Sequence, residues 1–133
     1  MELRDFLALP HRFRWGGVDG DDCMTWCASW IRECIGVDPA AAVRGTYSTE
    51  EGAHRLLASR GGLVAYADSQ LLPLGFTRTD SPKVGDVGVV STTTPTGTTQ
   101  SAAINFSKTW AMLSPGRVVA KRADLVAAWR FPV

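Results

Sequence analysis

The stretch DCMTWCASWIRECIG, residues 22–36, decides how the rest of the sequence is interpreted. Its apolar residues follow the 3.6-residue period of an amphipathic helix, at positions 23, 26, 27, 30, 31, 34 and 35. A short carboxylate at Asp21 or Asp22 can cap such a helix, because it accepts the free amide protons of the first turn. Gly36 ends the pattern. The sequence therefore predicts a helix that begins at Cys23 and buries one face.

Shorter helices are predicted on both sides of this one. Residues 2–9 form a helical pattern that Pro10 stops, and residues 11–20 are rich in turn formers. Ser48 followed by Glu51 matches a capping box, which predicts a helix that runs to about Ser59. Another short helix is predicted over residues 63–72.

The pattern changes after Pro82, where short strand candidates replace helices. The polar, Thr-rich segment 91–100 is predicted to be a hairpin or loop. The strand candidates are residues 84–90, 101–106, 109–113, 117–120 and 128–131. Helices followed by strands are typical of an α+β fold in which N-terminal helices pack on a C-terminal antiparallel sheet. No linker divides the chain, so residues 1–133 are predicted to form one domain.

Composition limits the partners that we expect. The chain has 133 residues, 45% of them hydrophobic and 20% charged, with a net charge of +1. Nothing in this balance favours binding to nucleic acid or to a membrane surface. No apolar run approaches the roughly 20 residues that a membrane helix needs. The start of the chain lacks the basic-then-apolar order of a secretory signal, so we expect synthesis in the cytoplasm.

The three cysteines, Cys23, Cys27 and Cys34, lie on one face of the predicted helix. Spread along three turns, they are too far apart to hold one metal ion, since zinc needs ligands at about 2.3 Å. An odd number also argues against a disulfide framework. No phosphate-binding or other cofactor motif occurs. The sequence therefore predicts no metal and no cofactor, and it favours a buried apolar stripe.

Cys23 is the candidate nucleophile. The positive end of the helix dipole favours a thiolate in the first turn, whereas Asp21 and Asp22 oppose it. A cysteine nucleophile also needs a base within hydrogen-bond reach, and the chain contains two histidines, His11 and His54. The alternative interpretation is that Cys23 is a small apolar core residue at a helix start.

An ordered set of motifs resembles the nucleophile region of NlpC-type cell-wall peptidases. The set is Phe-Arg-Trp-Gly-Gly at 13–17, Asp22-Cys23, and the tryptophans Trp26 and Trp30. Later, Pro-Lys-Val-Gly-Asp-Val at 82–87 resembles the start of the first strand in their sheet. Those proteins are papain-like cysteine hydrolases that cut peptidoglycan stem peptides. The resemblance implies a papain-like fold with Cys23 at the nucleophile position.

A more extensive resemblance is to small phage and prophage proteins of unknown function related to that superfamily. It adds landmarks along nearly the whole chain: Asp-Pro-Ala-Ala at 38–41, Arg44-Gly45 with Tyr47, Gly52-Ala53 with Arg-Leu-Leu at 55–57, Gly-Gly-Leu at 61–63, and Ala-Trp-Arg at 128–130. In tailed phages such proteins resemble tail-tip or tail-assembly components. The resemblance implies other tail proteins as partners and the virion as the final location.

Ser101 marks the main departure from the peptidases. Where they carry the histidine that serves as base, in a His-Val-Gly-Ile pattern, this chain has Ser-Ala-Ala-Ile at 101–104. A serine hydroxyl cannot accept a proton near neutral pH as imidazole does. The resemblance therefore implies an inactive relative with a vestigial Cys23.

Three functions stay open at this point. The first is a structural or assembly subunit of a phage tail, with segment 91–100 as one contact region. The second is an active cysteine endopeptidase in which His11 or His54 supplies the base, with peptidoglycan as its substrate. The third is a module that binds a cell-wall fragment in the former active-site cleft.

Overall fold

The structure, a computed structural model, describes all residues from Met1 to Val133 and has an α+β fold. Four helices come first, and the predicted helices are confirmed with small shifts at their ends. No helix is long and apolar enough to cross a membrane. The helices are α1 Leu3–Ala8, α2 Cys23–Ile35, α3 Glu50–Ser59 and α4 Leu63–Leu71, with a short 3₁₀ turn at Leu72–Leu74.

Six strands form one antiparallel sheet in the order β1-β6-β2-β3-β4-β5. The five predicted strands are confirmed in their order along the chain, with shifted ends, whereas β1 was not predicted. Segment 91–100 is a hairpin whose arms are regular strand, joined by a turn at Pro95 and Thr96. The strands are β1 Thr77–Thr79, β2 Val87–Thr94, β3 Gly97–Phe106, β4 Thr109–Ser114, β5 Arg117–Lys121 and β6 Asp124–Arg130.

Helix α2 begins at a complete capping box. The Asp22 carboxylate accepts from the Thr25 amide at 2.9 Å, and the Thr25 hydroxyl accepts from the Asp22 amide at 3.0 Å. Asp22 is therefore the cap, and Asp21 is not. At the other end Gly36 takes the left-handed conformation, with φ 76°, and stops the helix.

The cap of α3 differs from the prediction. Thr49, not Ser48, is the N-cap residue, and its hydroxyl accepts from the Gly52 amide at 3.0 Å. The predicted Ser48–Glu51 capping box is wrong because the helix begins one residue later than that motif requires. Glu50 and Glu51 then fall in the first turn, where the helix dipole favours negative charge.

The main core lies between α2 and one face of the sheet. Trp26 and Ile31 are buried against strand residues of the same cluster, such as Ile104 and Trp129. The indole of Trp30 donates to the carbonyl of Gly85 at 2.8 Å, which ties α2 to the start of β2. The predicted apolar stripe therefore fixes α2 on the sheet as far as Ile31, but the prediction is wrong for Cys34, which is exposed near the end of the helix.

A second, smaller cluster lies on the opposite face of the sheet. Val90, Ala103 and Ala128 pack there with Trp110 and Met112 of β4. Gly88 makes this packing feasible, since a Cβ at that position would lie 2.8 Å from the Trp110 ring. Strand β4 thus contributes to both faces of the sheet, since its Ala111 and Leu113 belong to the main core.

Candidate functional site

Cys23 and Ser101 meet where the first turn of α2 contacts β3. The Ser101 side chain and the backbone amides of Ala102 and Met24 face the Cys23 sulfur, and the Ser101 hydroxyl donates to the Ala102 carbonyl oxygen at 3.4 Å. Cys23 is partly exposed. The structure thus brings together Cys23 and Ser101, the two residues that the sequence resemblance compared with a nucleophile and with the position of its base.

The electrostatics of Cys23 favour the neutral thiol. Burial raises its pKa, the nearby Ser101 hydroxyl lowers it, and the adjacent Asp22 raises it, with a raised pKa as the result. Helix α2 places its positive end at Cys23, but desolvation outweighs that effect. At neutral pH the group is therefore a protonated thiol, which is a poor nucleophile.

Only one of the two histidines reaches this region. His54, on α3, is exposed and lines the same cleft as Cys23. The ring of His11 instead packs on those of Phe6 and Trp26, at centroid distances of 4.8 and 5.5 Å. Its Nε2 is 2.6 Å from the Phe6 carbonyl oxygen. His11 therefore belongs to the α1–α2 contact, and neither imidazole is hydrogen-bonded to the thiol.

The cleft beside Cys23 has a volume of about 320 Å³. Its helical wall is mainly apolar, with Leu57 and Leu63, and Glu50 and His54 stand on the same side. The opposite wall is the polar stretch Thr99, Gln100 and Ser101 of β3, and Trp15 and Tyr47 complete the lining. The site can therefore receive an extended chain with one apolar side chain, but it presents no activated nucleophile.

Asp22 is buried and fully engaged beneath this cleft. Besides the Thr25 amide, its carboxylate accepts from the Gly16 amide at 3.2 Å and from the Tyr47 hydroxyl at 2.5 Å. Burial raises the pKa of Tyr47, and the hydrogen bond to Asp22 raises it further, so the phenol stays a neutral donor. Gly16 is required here, since a Cβ would lie 2.1 Å from the Tyr47 carbonyl oxygen. Asp22 thus has a structural role.

Arg44 joins the two loops that surround the start of α2. Its guanidinium pairs with Asp21 at 2.8 Å and with Asp38 at 2.7 Å, and all three side chains are largely buried. It also donates to the Gly17 carbonyl and the Ser29 hydroxyl. Sequence reasoning missed this network, although Asp38, Arg44 and Tyr47 were landmarks of the resemblance. Their shared role is to hold the loops that position Cys23.

The other cysteines take no part in the site. Cys27 is buried in the main core, and burial raises its pKa well above the ordinary value. Cys34 is exposed near the end of α2, and all three cysteines are free. No group of three His, Cys, Asp or Glu side chains converges in a way that could hold a metal ion.

Fold and site together define a small α+β domain with a cysteine–serine pair in an open cleft. Residues 3–131 match the family described as a domain of unknown function, DUF6950, and the chain belongs to that family. No curated protein matches the chain. No solved structure matches it either.

Proposed function

We propose that this protein is an assembly component of a bacteriophage tail, in the tail-tip or baseplate region, built on an NlpC-type papain-like fold that has lost its catalytic base. The observation that carries the proposal is the position of the Ser101 hydroxyl beside the Cys23 thiol in the same cleft. In the resemblance to the peptidases this position carries an imidazole, so a hydroxyl there supports a cleft that is kept without its catalytic chemistry.

The properties of the thiol support the loss of catalysis. The raised pKa of Cys23, caused first by burial, leaves little thiolate at neutral pH. Removing a general base typically costs about 10²–10⁴-fold in rate. Asp22, which a peptidase could use near its nucleophile, is committed to Tyr47 and two backbone amides. Each group around the thiol thus serves the fold.

The β2–β3 hairpin supports an assembly role. Beyond Ser91 and Gln100 its two arms extend past the neighbouring strands, because β6 pairs with β2 only up to Ser91 and β4 pairs only with residues 104–106. No charged residue occurs from 91 to 101, and most of these side chains are exposed. An isolated two-stranded ribbon is marginally stable in water, so a ribbon of this kind is suited to burial against a partner.

The partners under this proposal are other tail proteins, and the final location is the virion. The test is quantitative mass spectrometry of tails purified from a lysate of the phage or induced prophage that encodes the chain. We expect a fixed copy number per tail and the same copy number for Cys23→Ala. Absence of the chain from both mature tails and tail-assembly intermediates would contradict the proposal.

A cysteine endopeptidase that acts on peptidoglycan is the alternative, and one observation favours it. His54 lines the same cleft as Cys23, and Glu50 lies one helical turn before it, so an imidazole could act from α3. Zymography on purified cell wall separates the two functions. Activity that is lost in both Cys23→Ala and His54→Ala, but kept in His11→Ala, would establish the peptidase. Equal activity in all variants, or none, removes it.

A further inference from the structure

The outer edge of β3 carries main-chain groups without a strand partner. Asn105 donates its amide proton to Asp86 at 2.8 Å and accepts from Gly85 at 2.9 Å, so its hydrogen bonds point towards β2. The β2–β3 register has no irregularity from Val87–Ile104 to Thr94–Gly97. Because successive residues of a strand direct their hydrogen bonds to opposite sides, residues 104, 102, 100 and 98 point away from β2.

Strand β4 covers only the end of this edge. It pairs with Ile104, Asn105 and Phe106 and with no earlier residue of β3. The Ala102 amide faces the sulfur of Cys23. Thr98 and Gln100 therefore present two N–H and two C=O groups to an open edge.

This open edge runs along the cleft that contains Cys23. Thr99, Gln100 and Ser101 form one wall of the cleft, and Leu57 and Leu63 stand opposite. A strand added to the edge would point every second side chain towards the helical wall. Main-chain hydrogen bonds combined with a side-chain pocket are the basis of recognition by strand addition.

The charges that line the cleft indicate which side chains a bound segment should carry. Glu50 lines the cleft and takes part in no salt bridge, and the β2–β3 hairpin is uncharged. Asp22 adds a second negative group beneath the floor. A segment with a lysine or arginine next to its apolar side chain complements this arrangement.

We propose that the cleft and the open edge of β3 bind an extended segment of a partner polypeptide, added as a strand against Thr98 and Gln100. One apolar side chain of the segment lies between β3 and α3, and a neighbouring Lys or Arg faces Glu50. The segment is held without covalent chemistry. The inference rests on the proposed function only in that a tail protein would be the natural source of this segment.

The test uses a short capped peptide that alternates Leu with Lys and Thr, with binding followed by NMR. We expect its addition to slow amide exchange at Thr98 and Gln100 and to shift the resonances of Glu50 and Leu57. Exchanging Lys for Glu in the peptide should weaken binding about tenfold, and Glu50→Gln should weaken binding of the Lys peptide.

Gln100 provides a matched pair of variants. Gln100→Pro removes the outward amide proton while leaving the β2–β3 ladder intact, because the N–H of Gln100 does not point to β2. We expect about tenfold weaker binding for Gln100→Pro, as for the loss of one good hydrogen bond, and less than twofold for Gln100→Ala. If the proline variant fails to fold, a peptide methylated on its pairing amides makes the same test with the unaltered protein.

Three results would overturn the inference. These are no binding at about 1 mM peptide, binding that N-methylation leaves unchanged, or amide protection of Thr98 and Gln100 that rises with protein concentration alone. The last result would assign the edge to a second copy of the chain. If the chain binds the peptide but does not associate with tails, the proposed function is contradicted and this inference stands. If the chain associates with tails but does not bind the peptide, the proposed function stands and this inference is contradicted.

Discussion

The thiol of Cys23 and the hydroxyl of Ser101 lie side by side at the contact between α2 and β3, two elements far apart in the sequence. Under the proposed function this pair is what is left of a nucleophile and its base, with a hydroxyl that cannot accept a proton. The capping box at Asp22 and the loop network around Arg44 hold the first member of this pair in place. Both features thus fix the position of a thiol whose pKa is raised by burial.

An imidazole introduced at position 101 should activate the Cys23 thiol. In Ser101→His the new side chain would lie within hydrogen-bond reach of Cys23 and stabilise a thiolate as an ion pair. We expect alkylation of Cys23 by iodoacetamide at pH 7 to accelerate at least about tenfold. The rate is measured by mass spectrometry of the Cys23 peptide, with the exposed Cys34 as an internal reference.

Ser101→Ala is the control for that experiment. It removes the hydroxyl that lowers the pKa of Cys23, so the pKa should rise further and alkylation should slow. A faster reaction in Ser101→Ala, or an unchanged one in Ser101→His, would show that the residue at 101 does not govern the thiol.

The hydroxyl of Tyr47 should contribute measurably to folding. In Tyr47→Phe the buried carboxylate of Asp22 loses one of its three donors to that side chain. Because a hydrogen bond to a charged group typically contributes about 1.5–3 kcal/mol, we expect the free energy of unfolding to fall by about 2 kcal/mol. Urea denaturation followed by tryptophan fluorescence measures it.

Tyr66→Phe is the matched control for Tyr47→Phe. The Tyr66 hydroxyl is buried and has no hydrogen-bond partner, so its removal should be neutral or stabilising. Equal destabilisation by the two substitutions would mean that ring packing, and not the bond to Asp22, determines the effect.

Arg44 should be the most important charged residue for stability. Arg44→Met leaves Asp21 and Asp38 largely buried without their partner, and we expect a loss of about 3 kcal/mol in the free energy of unfolding. The comparison is Arg78→Met, which breaks the exposed pair with Asp68 and should cost less than about 1 kcal/mol. Similar losses in the two variants would contradict the structural role assigned to Arg44.

The contribution of Arg44 should also depend on pH. Burial acts to raise the pKa of Asp38, but hydrogen bonds from Arg44 and from the Ala40 amide overcome it, and the pKa is lowered. A lowered pKa in the folded state stabilises the protein above the ordinary Asp value of about 3.9 and loses that effect as pH falls through the lowered pKa. The stability difference between the native chain and Arg44→Met should therefore be constant near neutral pH and shrink below about pH 4. A difference that grew towards acid would contradict this assignment.

The sequence predicted the helices and strands that bury an apolar face, and it predicted exposed segments less well. Helix α2 was predictable because its 3.6-residue period, its cap and Gly36 all agree. Strand β1 was missed because Thr77–Thr79 has no apolar alternation and depends on pairing with β6. Segment 91–100 was not predicted as regular strand for the same reason, since its threonines face solvent on an extended ribbon.

The site was predictable only in part. The proximity of Cys23 and Ser101 followed from the resemblance and not from residue spacing. His54 could not be placed, because nothing local distinguishes a histidine that faces a cleft from one that faces solvent. The contacts of Arg44 span 6 to 27 residues, and no sequence period marks contacts of that length.

Shortening the β2–β3 hairpin should leave folding intact and impair incorporation into tails. Thr92 and Thr99 form a hydrogen-bonded pair of the same type as Thr94 and Gly97, the pair that flanks the present turn. Replacing residues 93–98 by Asn-Gly therefore keeps the register and supplies a favoured two-residue turn. Because the removed residues are mostly exposed, we expect the free energy of unfolding to change by less than about 1 kcal/mol and incorporation into tails to fall sharply. The measurements are urea denaturation and the copy number per purified tail. A stable shortened variant that enters tails at the native copy number would exclude the hairpin as the contact region.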